Sequence, residues 1–169
     1  DVDKYFGGTF PQELIRDFYT AAHPYGAFAV PRLAGAIDLK HTHPKLFYVP
    51  KQETLGDFNA THGDRLYMIV EKPDDSFNNT HMFGNNQDVE STRDLFDKIR
   101  EDEKNRVDER MFIRARIFDM LLGDWDRHED QWRWAEIVDP KDDEKVDFIA
   151  IPRDRDQVFA RFDGELLDF

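Results

Sequence analysis

The chain has 169 residues and a mass of 20.0 kDa, and its 23 Lys and Arg against 36 Asp and Glu give a formal net charge of −13. So acidic a chain is repelled by nucleic-acid phosphates and anionic membrane, and a mean hydropathy of −0.74 with no run near the ~20 apolar residues of a spanning helix argues against a helical membrane protein. A content of 14% aromatic residues, including 15 Phe, supplies surface for a core rather than a disordered chain, while zero cysteines exclude disulfides, zinc-thiolate sites and thiol nucleophiles. The absence of cysteine suits the cytosol and the bacterial periplasm alike. Asp1 is not an initiator Met, so the segment is expected to belong to something longer, with any targeting signal upstream.

Phe10, Leu14, Ile15, Phe18 and Ala22 recur at helical spacing, with Thr9 and Gln12 as a capping box, which predicts a helix from Pro11 to Ala22 closed by Pro24. Residues 25–37 form an Ala-rich patch that Pro31 is expected to divide into two short helical pieces. Lys45–Val49 and Leu66–Glu71 read as neighbouring strands joined by a polar connection, and Pro73–Gln87 as a surface loop. Ser91–Arg100 then carries Leu95, Phe96 and Ile99 on one helical face. Asp108 caps a longer helix whose stripe is Met111, Phe112, Ala115, Phe118, Leu121 and Leu122, ending at Gly123. Trp132–Val138 and Val146–Ile151 flank an acidic turn, Asp139 to Asp143, and predict a hairpin. Helix, strands, helices, hairpin is an α+β order in one domain, not a βαβ repeat.

The densest polar cluster, Gly123 to Gln131, precedes this hairpin, and Arg153-Asp154-Arg155-Asp156 follows it. The hairpin is expected to fold the two clusters side by side, gathering the acids of positions 124, 126, 129, 130, 154 and 156 in one small volume. Like charges so close raise each other's pKa unless a cation neutralises them. Oxygen donors without cysteine suit Mg²⁺ or Mn²⁺ before zinc. The bland alternative is that Arg127, Arg153 and Arg155 pair with these acids as ordinary ion pairs. An acid, Asp126, an amide five residues on, Gln131, and a carboxylate at a strand end, Asp154, are the parts that phosphoryl transfer needs to orient a hydroxyl and hold a metal.

The run Gly123-Asp-Trp-Asp-Arg-His-Glu-Asp-Gln131 resembles the catalytic loop of atypical kinases of the Asp-Arg-His type. The wider segment Ile117–Gly164 is similar to the spore-coat-protein-H kinase family of bacteria, in which a Trp-Asp loop, two strands and a Pro-x-Asp-x-Asp-x-x-Phe motif follow one another; here that motif falls on Pro152, Asp154, Asp156 and Phe159. Large extracytoplasmic bacterial proteins carry a similar Trp-Asp-Arg-His run. The resemblance implies a kinase-like α+β fold, with residues 1–72 as small-lobe remnant and hinge and residues 73–169 as helical lobe. It implies ATP- and magnesium-dependent transfer to a hydroxyl-bearing protein or small molecule, and a periplasmic or cell-envelope location. It makes Asp126 the catalytic acid that orients and deprotonates the acceptor, Gln131 and Asp154 metal ligands with Asp156 a second candidate, and Glu71, Lys72 and Pro73 the hinge facing adenine. The first helix becomes the regulatory helix, with Glu13 or Asp17 as its acid. The sequence departs from the pattern in carrying Gln rather than Asn at 131. No glycine-rich turn and lysine-bearing strand precede the first helix. Full activity is therefore expected to need residues outside this fragment, and the alternative is a non-catalytic kinase-derived binding module.

Among smaller signals, the His41-x-His43 pair reads as a surface loop rather than a metal site, and His128 as a structural hydrogen-bonding group. Trp125, Trp132 and Trp134 read as core and rim packing, alternating in and out along a strand, rather than as a carbohydrate platform.

Overall fold

The computed structural model describes residues 21–74, 83 and 88–161. The predicted first helix, Glu13 and Asp17 included, lies outside them but for its last two positions, as does most of the loop Pro73–Gln87. Among the described residues the architecture is α+β, with four α-helices and two small sheets.

Helix α1 (Gly26–Ala36) is continuous through Pro31, which corrects the expectation of two pieces. Proline at 31 forfeits only its own bond back to Ala27, and Ala27, Val30 and Ala34, all buried, hold the helix together across the gap. Strands β1 (Lys45–Val49) and β2 (Arg65–Ile69) pair antiparallel, Leu46 opposite Met68 and Tyr48 opposite Leu66, as the sequence predicts to within two residues. Their connection contains a 3-10 turn, Glu53–Phe58, and the short helix α2 (Asn59–His62), which the polar composition concealed.

The second sheet has the order β3-β5-β6-β4, built from β3 (Asp88–Glu90), β4 (Asn105–Val107), β5 (Trp132–Asp139) and β6 (Asp142–Pro152). Only the β4–β6 pairing is parallel. Helix α3 (Thr92–Glu101) starts at Ser91, whose hydroxyl accepts the Asp94 N–H; α4 (Glu109–Leu122) starts at Asp108, whose carboxylate accepts the Met111 N–H, and stops at Gly123 with φ 68°. A left-handed stop of this kind is cheap only for glycine. The hairpin turn is tighter than predicted: Asp139 pairs with Asp142, so Asp142 already belongs to β6. The Asp139 carboxylate accepts the Lys141 N–H at 2.8 Å, an Asx turn that closes the loop locally.

The main core packs Val30, Ala34 and Leu39 with Leu95, Ala115, Phe118 and Leu122 onto one sheet face, made by Trp132, Trp134, Phe148 and Ala150. Phe83, Val89, Ala135 and Ile151 cluster on the other face. Trp132 and Trp134 are two residues apart and therefore point the same way, stacked with centroids 6.1 Å apart, while Trp125 is exposed; the expected alternation is corrected. Each such side chain fully buried is worth about 1.5–3 kcal/mol. Phe96 and Leu121 are exposed, against expectation. At 100° per residue, Phe96 turns away from the narrow Leu95–Ile99 face and lies beside Arg100, 6.0 Å from its guanidinium. Leu121 falls about 120° from Ala115, outside the buried stripe, by the same rotation.

Candidate functional site

The hairpin brings the two acidic clusters together by register. Trp132 pairs with Pro152, and the next rung out is the Arg153 N–H donated to the Gln131 carbonyl at 2.9 Å. The loop after α4 and the loop after β6 are therefore neighbours.

Arg127 fastens them. Its guanidinium donates to the carbonyl of Arg153 at 2.5 Å and to that of Asp154 at 2.9 Å, and it pairs with the Asp124 carboxylate. Arg155 donates through one nitrogen to Asp119, at the end of α4, and to Asp124 at 2.7 Å. Arg116 donates to the other Asp119 oxygen at 2.8 Å. The side chains of Asp119, Asp124 and Arg127 are at most 1% exposed and that of Arg155 is 6% exposed, so the four form a charge network removed from solvent. The Arg127 and Arg116 guanidiniums also lie about 6 Å from the Trp132 ring and that of Arg155 5.6 Å from Phe118. Burial, then the neighbouring Arg155 charge, push the Arg127 guanidinium below its usual pKa, and Asp124 and Asp119 draw it back. One Asp124 oxygen and the Arg127 Nε are buried without a hydrogen-bond partner.

The ion-pair reading of the arginines holds in part: Arg127 and Arg155 pair with Asp124, one of the six acids, and with Asp119, while the Arg153 guanidinium interacts electrostatically with Asp154 and Asp130. Among the described residues no arginine or lysine nitrogen lies within 4 Å of the carboxylates of Asp126, Asp154 and Asp156, and His128 Nε2 lies 3.9 Å from Asp126. Gln131, buried, spans the gap: its amide nitrogen lies 3.3 Å from the Asp154 carboxylate and 3.2 Å from His128 Nε2. His128, Gln131 and Asp154 thus follow one another at hydrogen-bond distance across the two loops, with Asp126 3.9 Å beyond His128. Burial pushes the Asp156 carboxyl above its usual pKa, and Asp154, Asp124 and Asp126 add to the push, so these acids share one electrostatic environment. Asp154 itself has φ 49°, the left-handed region that Asp tolerates better than most residues, and its carbonyl is held there by Arg127.

Asp154 and Arg155 also line a cavity of about 30 Å³ bounded by Ala27 and Val30 of α1, by His41, Thr42 and Pro44, by Met68 and Val70 at the end of β2, and by Pro152. Val70, the residue before the predicted hinge, faces it; Glu71, Lys72 and Pro73 are not among its walls. Glu71 is engaged elsewhere, its carboxylate accepting the His43 N–H at 2.6 Å, Lys72 is exposed and Pro73 is buried. His41 and His43 both lie in a loop, as expected, with the His43 side chain 44% exposed, but His41 is half-buried in the cavity wall, its ring 4.6 Å from that of His43, and the Nδ1 atoms of both are buried without a hydrogen bond. Burial, with help from the neighbouring His43, holds the His41 imidazole below its usual pKa.

Among the described residues no three His, Asp or Glu side chains converge as a metal-binding group. A magnesium site of one or two carboxylates completed by water and nucleotide phosphates needs no such cage, and the oxygen donors of Asp154, Asp156 and Gln131 fit that description, with Arg153 acting on Asp154 without a direct ion pair. Asp119 was not anticipated from the sequence. Its one signal is position: 115, 118, 119 and 122 share a helical face, so an acid stands on an otherwise apolar stripe. Compared with protein-family models, curated proteins and solved structures, the chain matches none.

Proposed function

We propose that the chain carries the phosphoryl-transfer site of a kinase-like phosphotransferase, of the atypical Asp-Arg-His type that its loop resembles. The observation that supports this is the separation of roles among the charges. Arg127 and Arg155 are spent on Asp119 and Asp124, while Asp126, Gln131 and Asp154 gather in one place, Asp126 beside His128 and Asp154 in the field of Arg153, with no arginine or lysine nitrogen among the described residues within 4 Å of either acid. Asp126, half-buried beside His128, orients the acceptor hydroxyl and takes its proton. Asp154 and Gln131, with Asp156 as the further carboxylate, hold the metal; Gln131 does so through its amide oxygen, which a rotation about its last torsion would turn toward Asp154. Mg²⁺ or Mn²⁺ bound with ATP supplies charge neutralisation of the transferring phosphoryl group. The nucleotide enters beside Asp154, where Val70 and Met68 offer an apolar wall. Glu71, Lys72 and Pro73 then contribute as the backbone that follows that wall. Among the described residues no helix is long and apolar enough to cross a membrane, and the bacterial cell envelope is the location that the resemblance suggests.

Transfer of label from γ-³²P-ATP to hydroxyl-bearing proteins and small molecules, compared between the native protein and Asp126→Ala, tests this. A drop of 10²-fold or more in Asp126→Ala is expected, and equal incorporation removes Asp126 from the chemistry. A second reading, a kinase-derived module that binds without catalysing, is favoured by the cavity itself. At about 30 Å³ it has room for two or so waters and must open to admit a base. Magnesium-dependent nucleotide binding without transfer, or neither, distinguishes that reading.

A further inference from the structure

An acid on the buried stripe of α4 is costly, because a carboxylate removed from water must recover its hydration from fixed partners. A pair of apolar side chains would fill the same space and hold the helix to the sheet at least as well. The Asp119–Arg155 pair therefore asks for a reason beyond packing, and its location supplies one. Arg155 is the residue next to Asp154, and through a single nitrogen it reaches both Asp119, on the helix, and Asp124, at the start of the loop that bears Asp126. Arg127 then closes the circuit, running from Asp124 back to the two carbonyls that flank the Asp154 Cα, those of Arg153 and Asp154. Both acidic loops are thus tied to one rigid element, the last turn of α4. Its own end is fixed by Gly123 and by the Asp124 N–H donated to the Asp119 carbonyl at 2.9 Å.

We propose that Asp119 and Arg155 are positioning residues for the site: they hold Asp154 in its left-handed conformation, with its carboxylate toward Gln131, and lock the loop of Asp126 in register with it. Their role in turnover rests on the phosphoryl-transfer reading; the anchoring of the two loops does not. Asp119 is not among the walls of the cavity beside Asp154 and Arg155 borders it, but both act through Asp154 and Asp124.

The experiment replaces the pair by apolar residues of similar size, Asp119→Leu with Arg155→Met, in the full chain, so that the helix contact survives while the hydrogen-bonded geometry is lost. Two readouts are taken. The first is the Mg²⁺ concentration that half-saturates phosphate transfer at fixed ATP. A tenfold or larger rise is expected at a melting temperature near that of the native protein, with the ATP KM at saturating Mg²⁺ within about threefold; an unchanged Mg²⁺ requirement in a folded variant overturns the proposal. The second is amide hydrogen exchange, which needs no activity. Exchange at least tenfold faster is expected in residues 123–128 and 154–158, with β5 and α3 unaffected, and unaltered exchange in both loops overturns the anchoring. If the native protein neither binds nucleotide nor transfers phosphate, the phosphoryl-transfer reading fails while the exchange result still decides the anchoring. Should the double variant not fold, Arg155→Gln, which keeps a donor but not the charge, is put through the same two measurements with the same expected and contrary results.

Discussion

Replacing Asp119 with alanine tests the buried charge network most severely. The carboxylate is 1% exposed and accepts from Arg155 and, at 2.8 Å, from Arg116. Removing it deletes two charge-assisted hydrogen bonds, each worth about 1.5–3 kcal/mol. It also leaves Arg155, 7% exposed, with Asp124 as its one remaining partner. Breaking one side of a buried pair costs about 3–5 kcal/mol, which agrees with the sum of the two bonds. For a chain of this length each kcal/mol lowers the melting temperature by roughly 2–4 °C, so a fall of roughly 6–20 °C is expected. Urea unfolding followed by far-ultraviolet circular dichroism gives the free energy, with the slope checked for constancy. The control is Asp97→Ala: that carboxylate pairs with Arg100 on the exposed side of α3 and should cost well under 1 kcal/mol. A loss below about 1 kcal/mol for Asp119→Ala would mean that water screens the network, and the network would lose its claim to fix the loops.

Three further outcomes are expected. Gly123→Ala should cost about 1–2 kcal/mol in the same unfolding assay, because a Cβ there meets nothing within 4 Å and the penalty is the left-handed backbone alone; a much larger loss would indicate a contact at this corner. Ser91→Ala removes the hydroxyl that accepts the Asp94 N–H and donates to the Asp94 carboxylate, and should cost about 1 kcal/mol, whereas no loss would mean that water replaces the cap. His41 binds its proton less tightly when folded than when unfolded, so below its ordinary pKa near 6.5 the unfolded chain holds more protons and stability falls as pH falls toward the depressed folded value. Melting temperatures from pH 7.5 to 5.0 should therefore drop less in His41→Gln than in the native protein; parallel curves would contradict a buried neutral imidazole.

What could be read from the sequence was whatever is dictated locally. Asp108 and Gly123 delimit α4 because capping depends on one side chain and one backbone angle. The hairpin is legible because its strands are long, apolar and separated by an Asp-Pro turn, and from the hairpin alone it follows that residues 131 and 153 meet. What depends on distant partners stayed hidden. Strand β4 is three residues long and exists because β6 passes beside it, Asn105 opposite Val146. Pro31 reads as a break, yet the packing of Val30 and Ala34 outweighs one missing hydrogen bond. Arg127 and Arg155 were legible as ion-pair partners but not as partners of Asp119, since nothing local relates position 155 to position 119. Asp126, Gln131 and Asp154 were singled out by their order and spacing along the chain, and the hairpin between the last two explains why those two lie within 3.3 Å of each other.

The most direct test is calorimetric titration of the native protein with ATP, with and without Mg²⁺, beside Asp154→Asn and Asp126→Asn. A phosphoryl-transfer site requires saturable binding that depends on Mg²⁺, is weakened at least tenfold in Asp154→Asn and is retained in Asp126→Asn, since one acid holds the metal and the other waits for the acceptor. Binding that ignores Mg²⁺, or that is the same in Asp154→Asn as in the native protein, would contradict the assignment of Asp154.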